Sequence, residues 1–206
     1  MSDTVLVPGG RDVRATLDTA ASDGTRADAV VVACPPHPQQ RGHRGDERLL
    51  AVSDALDEHG VDCLRFDYGA WDEGYGETTD ADAAVGWALE RYDRVGLFGF
   101  SFGGCVALVA AASRPELAAV CALAPTARLN PDTDAVAALD RLADRGPPAC
   151  VIYATRDTTA EWEPVVERAE ALGVETVALA ADHFFVGRAD EAAARVVAFL
   201  GPRVEG

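Results

Sequence analysis

Residues 94–108 read RVGLFGFSFGGCVAL, an apolar run, then Ser101 set among Gly99, Gly103 and Gly104, then a second apolar run. The first run has the Val, Leu and Phe content of a buried strand, and the second, from residue 102 to 113, reads as a helix. A strand that turns into a helix around one residue brings the backbone close to itself, and small neighbours are needed there. A strand followed at once by a helix is half of a βαβ unit, so the same alternation is expected on either side.

Upstream, residues 4–18 alternate apolar positions on both sides of Pro8-Gly9-Gly10, which predicts a hairpin. ADAVVVACP (residues 27–35) is a continuous β-branched run, as expected for a strand covered on both faces. Leu49, Leu50, Val52, Ser53 and Leu56 recur at helical spacing within residues 46–59, and Gly60 ends that helix. A strand DCLRFDY from Asp62 and a helix over residues 80–92 precede the opening segment. Downstream come strand AAVCALAP, a helix over 134–145, strand PACVIYAT from Pro148, a helix over 161–172, strand VETVALAA from Val174, and a last helix over 189–200. The pattern predicts one α/β domain over residues 1–206, a mostly parallel sheet with helices on both faces. Ligands in such sheets sit beyond the carboxyl ends of the strands, so the chemistry is expected there.

The 34 Asp and Glu against 18 basic residues leave a net charge of −16, and all 18 basic residues are Arg. A field this negative repels nucleic-acid phosphates and anionic lipid, which leaves a small molecule as the expected partner. The acidic surface without lysine is the composition expected of a salt-rich cytosol. The five cysteines (Cys34, Cys63, Cys105, Cys121, Cys150) form no CxxC pair and sit in apolar runs, so buried, reduced thiols are expected. The start MSDTVLV lacks the charged and apolar regions of a signal peptide. The longest apolar stretch, from Gly103, is stopped by Arg114 well short of a membrane span. A cytoplasmic location follows; oligomeric state has no signature here. No cofactor or metal is expected: there is no GxGxxG, no lysine for a phosphate loop, and no cluster of metal ligands.

Ser101 at a strand-to-helix turn is a candidate nucleophile, and a hydroxyl needs a base to become one. Of the four histidines, His59 lies at a helix end, His43 in an arginine-rich loop and His37 in a proline-rich loop. His183, in AADHFF, lies just past the last strand, where it can swing over the serine. Asp157, in VIYATRDTTAEW, follows the penultimate strand and is the candidate acid that orients the imidazole, with Asp132 and Asp134 as fallbacks. The backbone N–H of Phe102 is one candidate oxyanion donor. Pro35, Pro36 and Pro38 have no N–H, so Gln39, the first donor after this proline segment, is the other; His37 is read as a buttress of that loop. Trp71 and Phe184 are candidate substrate-binding residues, with Phe100 and Phe102 as further aromatic neighbours.

PPHPQQRG, RFDYGAW, GYGETTDADAAVGW, GFSFGG and ADHFF stand in the order found in the α/β-hydrolase superfamily. The chain resembles its small lidless predicted-hydrolase branch, related in layout to dienelactone hydrolases. The resemblance implies Ser101 as nucleophile, Asp157 as acid and His183 as base. It departs at Pro35, where the family places a histidine, at Gln39, Gln40 and Arg41, and at Tyr68, Gly69 and Ala70. Only residues 126–147 separate two strands where a lid would be inserted, which implies an open site. The expected activity is cleavage of an ester or related acyl bond through an acyl-enzyme; acyl transfer on the same residues, or a non-catalytic binding protein of this fold, are the alternatives.

Overall fold

The computed structural model describes residues 1–9, 11, 13–20 and 26–205. A hairpin of β1 (Ser2–Val7) and β2 (Val13–Asp18) opens the chain, with Val7 opposite Val13. Gly10 of the expected turn lies outside the described residues. Six further strands follow: β3 (Ala29–Cys34), β4 (Asp62–Asp67), β5 (Arg94–Phe100), β6 (Ala119–Leu123), β7 (Ala149–Ala154) and β8 (Glu175–Leu179). They form one sheet in the order β1-β2-β4-β3-β5-β6-β7-β8, antiparallel at the β1-β2-β4 end and parallel from β4 to β8.

Every residue of β3 is buried. Val30, Val32 and Cys34 pack on one face with α2 (Tyr75–Leu89), α3 (Phe102–Ala111), α4 (Ala135–Arg145) and α5 (Glu163–Leu172). Val31 and Ala33 pack on the other face with α1 (Glu47–Asp57) and α6 (Ala189–Val204). A strand covered on both sides has no polar face to show, which is why its sequence runs apolar without alternation. The strand order reverses at β3, with β4 on one side and β5 on the other, so a crevice opens beyond the carboxyl ends of β3 and β5. Ser101 and the 35–42 loop meet there.

Two helix ends reach well beyond the sequence expectation, the start of α2 and the end of α6, while α2 stops at Leu89 rather than at residue 92. Helix α2 begins at Tyr75 rather than at residue 80. Its start is fixed by the buried Glu77 carboxylate, which accepts the N–H groups of Asp72 at 2.9 Å and Gly74 at 2.8 Å. The Gly, Thr and Asp of that segment have weak helix propensity, so tertiary contacts decide. Helix α6 continues past Gly201 and Pro202 to Val204, because Val204 is fully buried against Gly96 of β5 and that packing outweighs one missing N–H. All five cysteines are buried and free. No helix among the described residues is long and apolar enough to cross a membrane.

Candidate active site

Ser101 follows β5 directly and caps α3 with φ 57° and ψ −118°, a positive-φ conformation that costs about 1–3 kcal/mol for a residue with a side chain. Its N–H donates to the Leu123 carbonyl at 2.8 Å, and its own carbonyl accepts the Gly104 N–H at 2.9 Å, so the strained turn is held from both sides. The glycines are steric necessities. A Cβ at Gly99 would overlap the Gly103 carbonyl, and one at Gly103 would overlap the carbonyls of Cys34 and Pro35. The result lifts the Ser101 hydroxyl into the crevice.

His183, in the loop after β8, places Nε2 2.9 Å from Ser101 Oγ. Its Nδ1 lies 2.6 Å from Asp157 Oδ2. Asp157 follows β7, and its second oxygen, Oδ1, accepts the N–H groups of Thr159 at 2.8 Å and Ala160 at 3.0 Å. An ionised carboxylate only accepts, so Nδ1 carries the proton and the Nε2 lone pair faces the serine hydroxyl. Both His183 and Asp157 are buried, at 4% and 7% exposure, which shields this relay from water. Phe100, itself buried, lies under the imidazole with ring centres 5.4 Å apart. The fallback acids are occupied elsewhere: Asp132 accepts the Tyr75 hydroxyl, and Asp134 caps α4 and pairs with Arg128.

The other histidines take no part in the relay. His59 pairs with Glu205, and His43 accepts the Gly45 N–H. His37 buttresses its loop as expected, stacking on Trp71 at 4.7 Å and packing on Phe102 at 4.9 Å. Burial holds His37 below the ordinary imidazole value against the opposing pull of Glu77, so the ring is neutral at pH 7 and can accept a hydrogen bond.

The Gln39 N–H, read from the sequence as a candidate oxyanion donor, is engaged within its own loop. The Gln39 N–H is turned onto His37 Nδ1 at 3.2 Å, because Pro38–Gln40 forms a short 3-10 turn capped by the His37 side chain. It is not free for a ligand. The His37 N–H has no acceptor among the described residues and belongs to a residue that lines the crevice. The Phe102 N–H, first in α3, has no intrahelical acceptor either.

A cavity of about 300 Å³ opens over Ser101, with His37, Trp71 and Phe102 as an aromatic wall and Thr126, Arg128 and Thr159 opposite. Trp71 is thus in the cavity. Its loop is fastened by the buried Asp80 carboxylate, which accepts the Gly69 N–H at 2.9 Å and Arg11 Nε at 2.8 Å. Burial pushes the Asp80 carboxyl up, opposed by these two donors. Phe184 does not line the cavity: it is half exposed and edge-on to His183, with ring centres 5.0 Å apart. Thr126, Arg128 and Thr159 come from the loops after β6 and β7, and the strand-end rule pointed to those loops without saying which side chain turns inward.

Residues 66–137, about a third of the chain, match the model of the X-Pro dipeptidyl-peptidase (S15) family. An uncharacterized protein of Rickettsia prowazekii is 27% identical over 106 residues, 47% of this chain and 44% of that protein, so the similarity spans less than half the relative's length. Among solved structures, an alpha-beta serine hydrolase homologue from Coxiella burnetii superposes with a TM-score of 0.80 at 23% identity, covering 96% of this chain and 97% of the other. A Xanthomonas campestris serine hydrolase without a lid gives a TM-score of 0.74 at 24% identity, over 95% and 94% of the two chains. An esterase from Pyrococcus furiosus gives 0.79 at 19% identity, over 99% and 92%. The architecture is the α/β-hydrolase fold without a lid.

Proposed function

We propose that this chain is a serine hydrolase that cleaves an ester of a small, soluble substrate through an acyl-enzyme on Ser101. The observation that carries the reading is the hydrogen-bonded relay from Ser101 Oγ through His183 to the buried Asp157, at the base of an open cavity. In this reading, Ser101 Oγ attacks the acyl carbon as His183 Nε2 takes the hydroxyl proton, and Asp157 steadies the imidazolium. The Phe102 and His37 N–H groups donate to the oxyanion of the tetrahedral intermediate. The intermediate collapses as His183 returns the proton to the departing alkoxide. Water then attacks the acyl-enzyme with His183 again as base, which releases the acid and restores the serine.

The segment between β6 and β7 holds only α4 and its loops, so nothing folds over the cavity to bury a long chain. Esters are favoured over amides by the esterase among the structural neighbours, whereas the S15 match favours an amide beside proline. A panel of 4-nitrophenyl esters from acetate to laurate, with an X-Pro 4-nitroanilide, separates them. The expected result is turnover of the short acyl esters with kcat/KM falling steadily toward laurate. Turnover of the anilide with none of the esters, or of emulsified long-chain esters alone, would contradict the reading.

A further inference from the structure

Of the described residues that line the cavity over Ser101, Arg128 is the one that carries a charge at pH 7, since His37 is held neutral by burial. An uncharged ester offers a guanidinium only neutral acceptors, whereas a carboxylate offers a charge-assisted bond about twice as strong. The guanidinium is 62% exposed and pairs with the largely buried Asp134, 12% exposed, so the pair fastens the 128–134 loop and keeps the cation at the solvent-facing rim of the cavity. The partner, Asp134, already caps α4 with its other oxygen on the Ala137 N–H at 3.0 Å.

What the pair does is hold the guanidinium in place. Nε, at 2.8 Å, and Nη2 both donate to Asp134 Oδ2, which leaves Nη1 without an acceptor among the described residues. The loop is itself ordered, by the Leu129 N–H on the Thr133 carbonyl at 2.9 Å, the Ala135 N–H on the Ala127 carbonyl at 2.9 Å, and the Asp132 and Thr133 N–H groups, both of which donate to Asn130 Oδ1. A fixed cation loses little freedom when it binds an anion. Arg128 also borders a second hollow lined by Asp134, Asp140 and Glu161, whose carboxylates repel an anion. Among the described residues, no carboxylate lines the cavity over Ser101, which adds the hydroxyl-bearing Thr126 and Thr159.

We infer that Arg128 is the specificity-determining residue of this site and that the substrate is an ester bearing a carboxylate, which Arg128 receives beside Ser101. The inference rests on the hydrolase reading. Because Asp134 already balances much of the Arg128 charge in a chain of net charge −16, the fit is to a monoanion rather than to a dianionic phosphate. The carboxylate belongs to either the acyl or the alcohol part of the ester, and two substrate pairs separate these.

The experiment measures kcat/KM for monoethyl glutarate against ethyl pentanoate, which place the charge on the acyl side, and for 4-acetoxybenzoate against phenyl acetate, which place it on the alcohol side. The readout is the ratio of anionic to neutral substrate. In Arg128→Gln that ratio is expected to fall by about 10-fold or more in one of the two pairs, the size of a lost charge-assisted hydrogen bond. Arg128→Lys keeps the charge and is expected to retain more of the ratio than Gln does. Unchanged ratios in both pairs, or equal losses in the Lys and Gln variants, would overturn the inference while leaving the hydrolase reading intact. Failure of the wild-type protein to turn over any of the four esters would overturn both.

Discussion

Ser101→Ala is expected to lower kcat by about 10⁶-fold on any ester the protein hydrolyses. The variant removes the one oxygen that faces His183 Nε2, at 2.9 Å, and leaves the Phe102 and His37 N–H groups where they are. Residual turnover above water of about 10³–10⁴-fold is therefore expected from the remaining donors and binding. Alanine keeps the same strained φ as serine, so the melting temperature is expected to stay within a few degrees and the loss cannot be assigned to unfolding. Steady-state kinetics beside thermal melting check both halves. A loss below tenfold would mean that hydrolysis does not pass through this serine.

Asp157→Asn is expected to cost about 10⁴-fold in kcat, for a reason specific to the hydrogen bonds around it. The Thr159 and Ala160 N–H groups both donate to one oxygen of Asp157. In the variant they select the amide oxygen for that position, which turns the amide NH₂ toward His183 Nδ1. The imidazole must then accept at Nδ1 and carry its proton on Nε2, where it cannot take the serine proton. Size and backbone contacts are preserved, so expression and melting behaviour are expected to stay close to wild type. Kinetics of the purified variant on the best ester of the panel decide the matter. Retention of more than a tenth of wild-type kcat would show that another group orients His183; Asp132 and Asp134, held by Tyr75 and Arg128, are poorly placed to do so.

The parts of this molecule that could be read from the chain are those in which burial acts on neighbouring residues. β3 and β5 are covered on both faces, and both show as unbroken apolar runs. The turn at Ser101 was legible because two backbone approaches there exclude any side chain, which forces glycine at 99 and 103. Ser101, Asp157 and His183 sit at strand ends of a parallel sheet, and topology alone brings such ends together. What stayed hidden depends on direction rather than position. The sequence tells which residues have an N–H but not where it points: the Gln39 N–H follows the proline segment, yet it serves His37. Arg128 gives no local signal, because its orientation comes from Asp134 across a loop bridge. Glu77 and Asp80 look like the charged face of a solvated helix, yet both are buried, one fixing the start of α2 and the other the loop that carries Trp71.

A covalent step through Ser101 is tested most directly by reaction with a fluorophosphonate, followed by digestion and mass spectrometry of the peptides. Wild-type protein is expected to gain one phosphonyl group per chain, on the peptide that contains Ser101, while Ser101→Ala gains none under the same conditions. Labelling that persists in Ser101→Ala, an adduct on a different residue, or no labelling of a wild-type protein that hydrolyses esters would contradict Ser101 as the nucleophile.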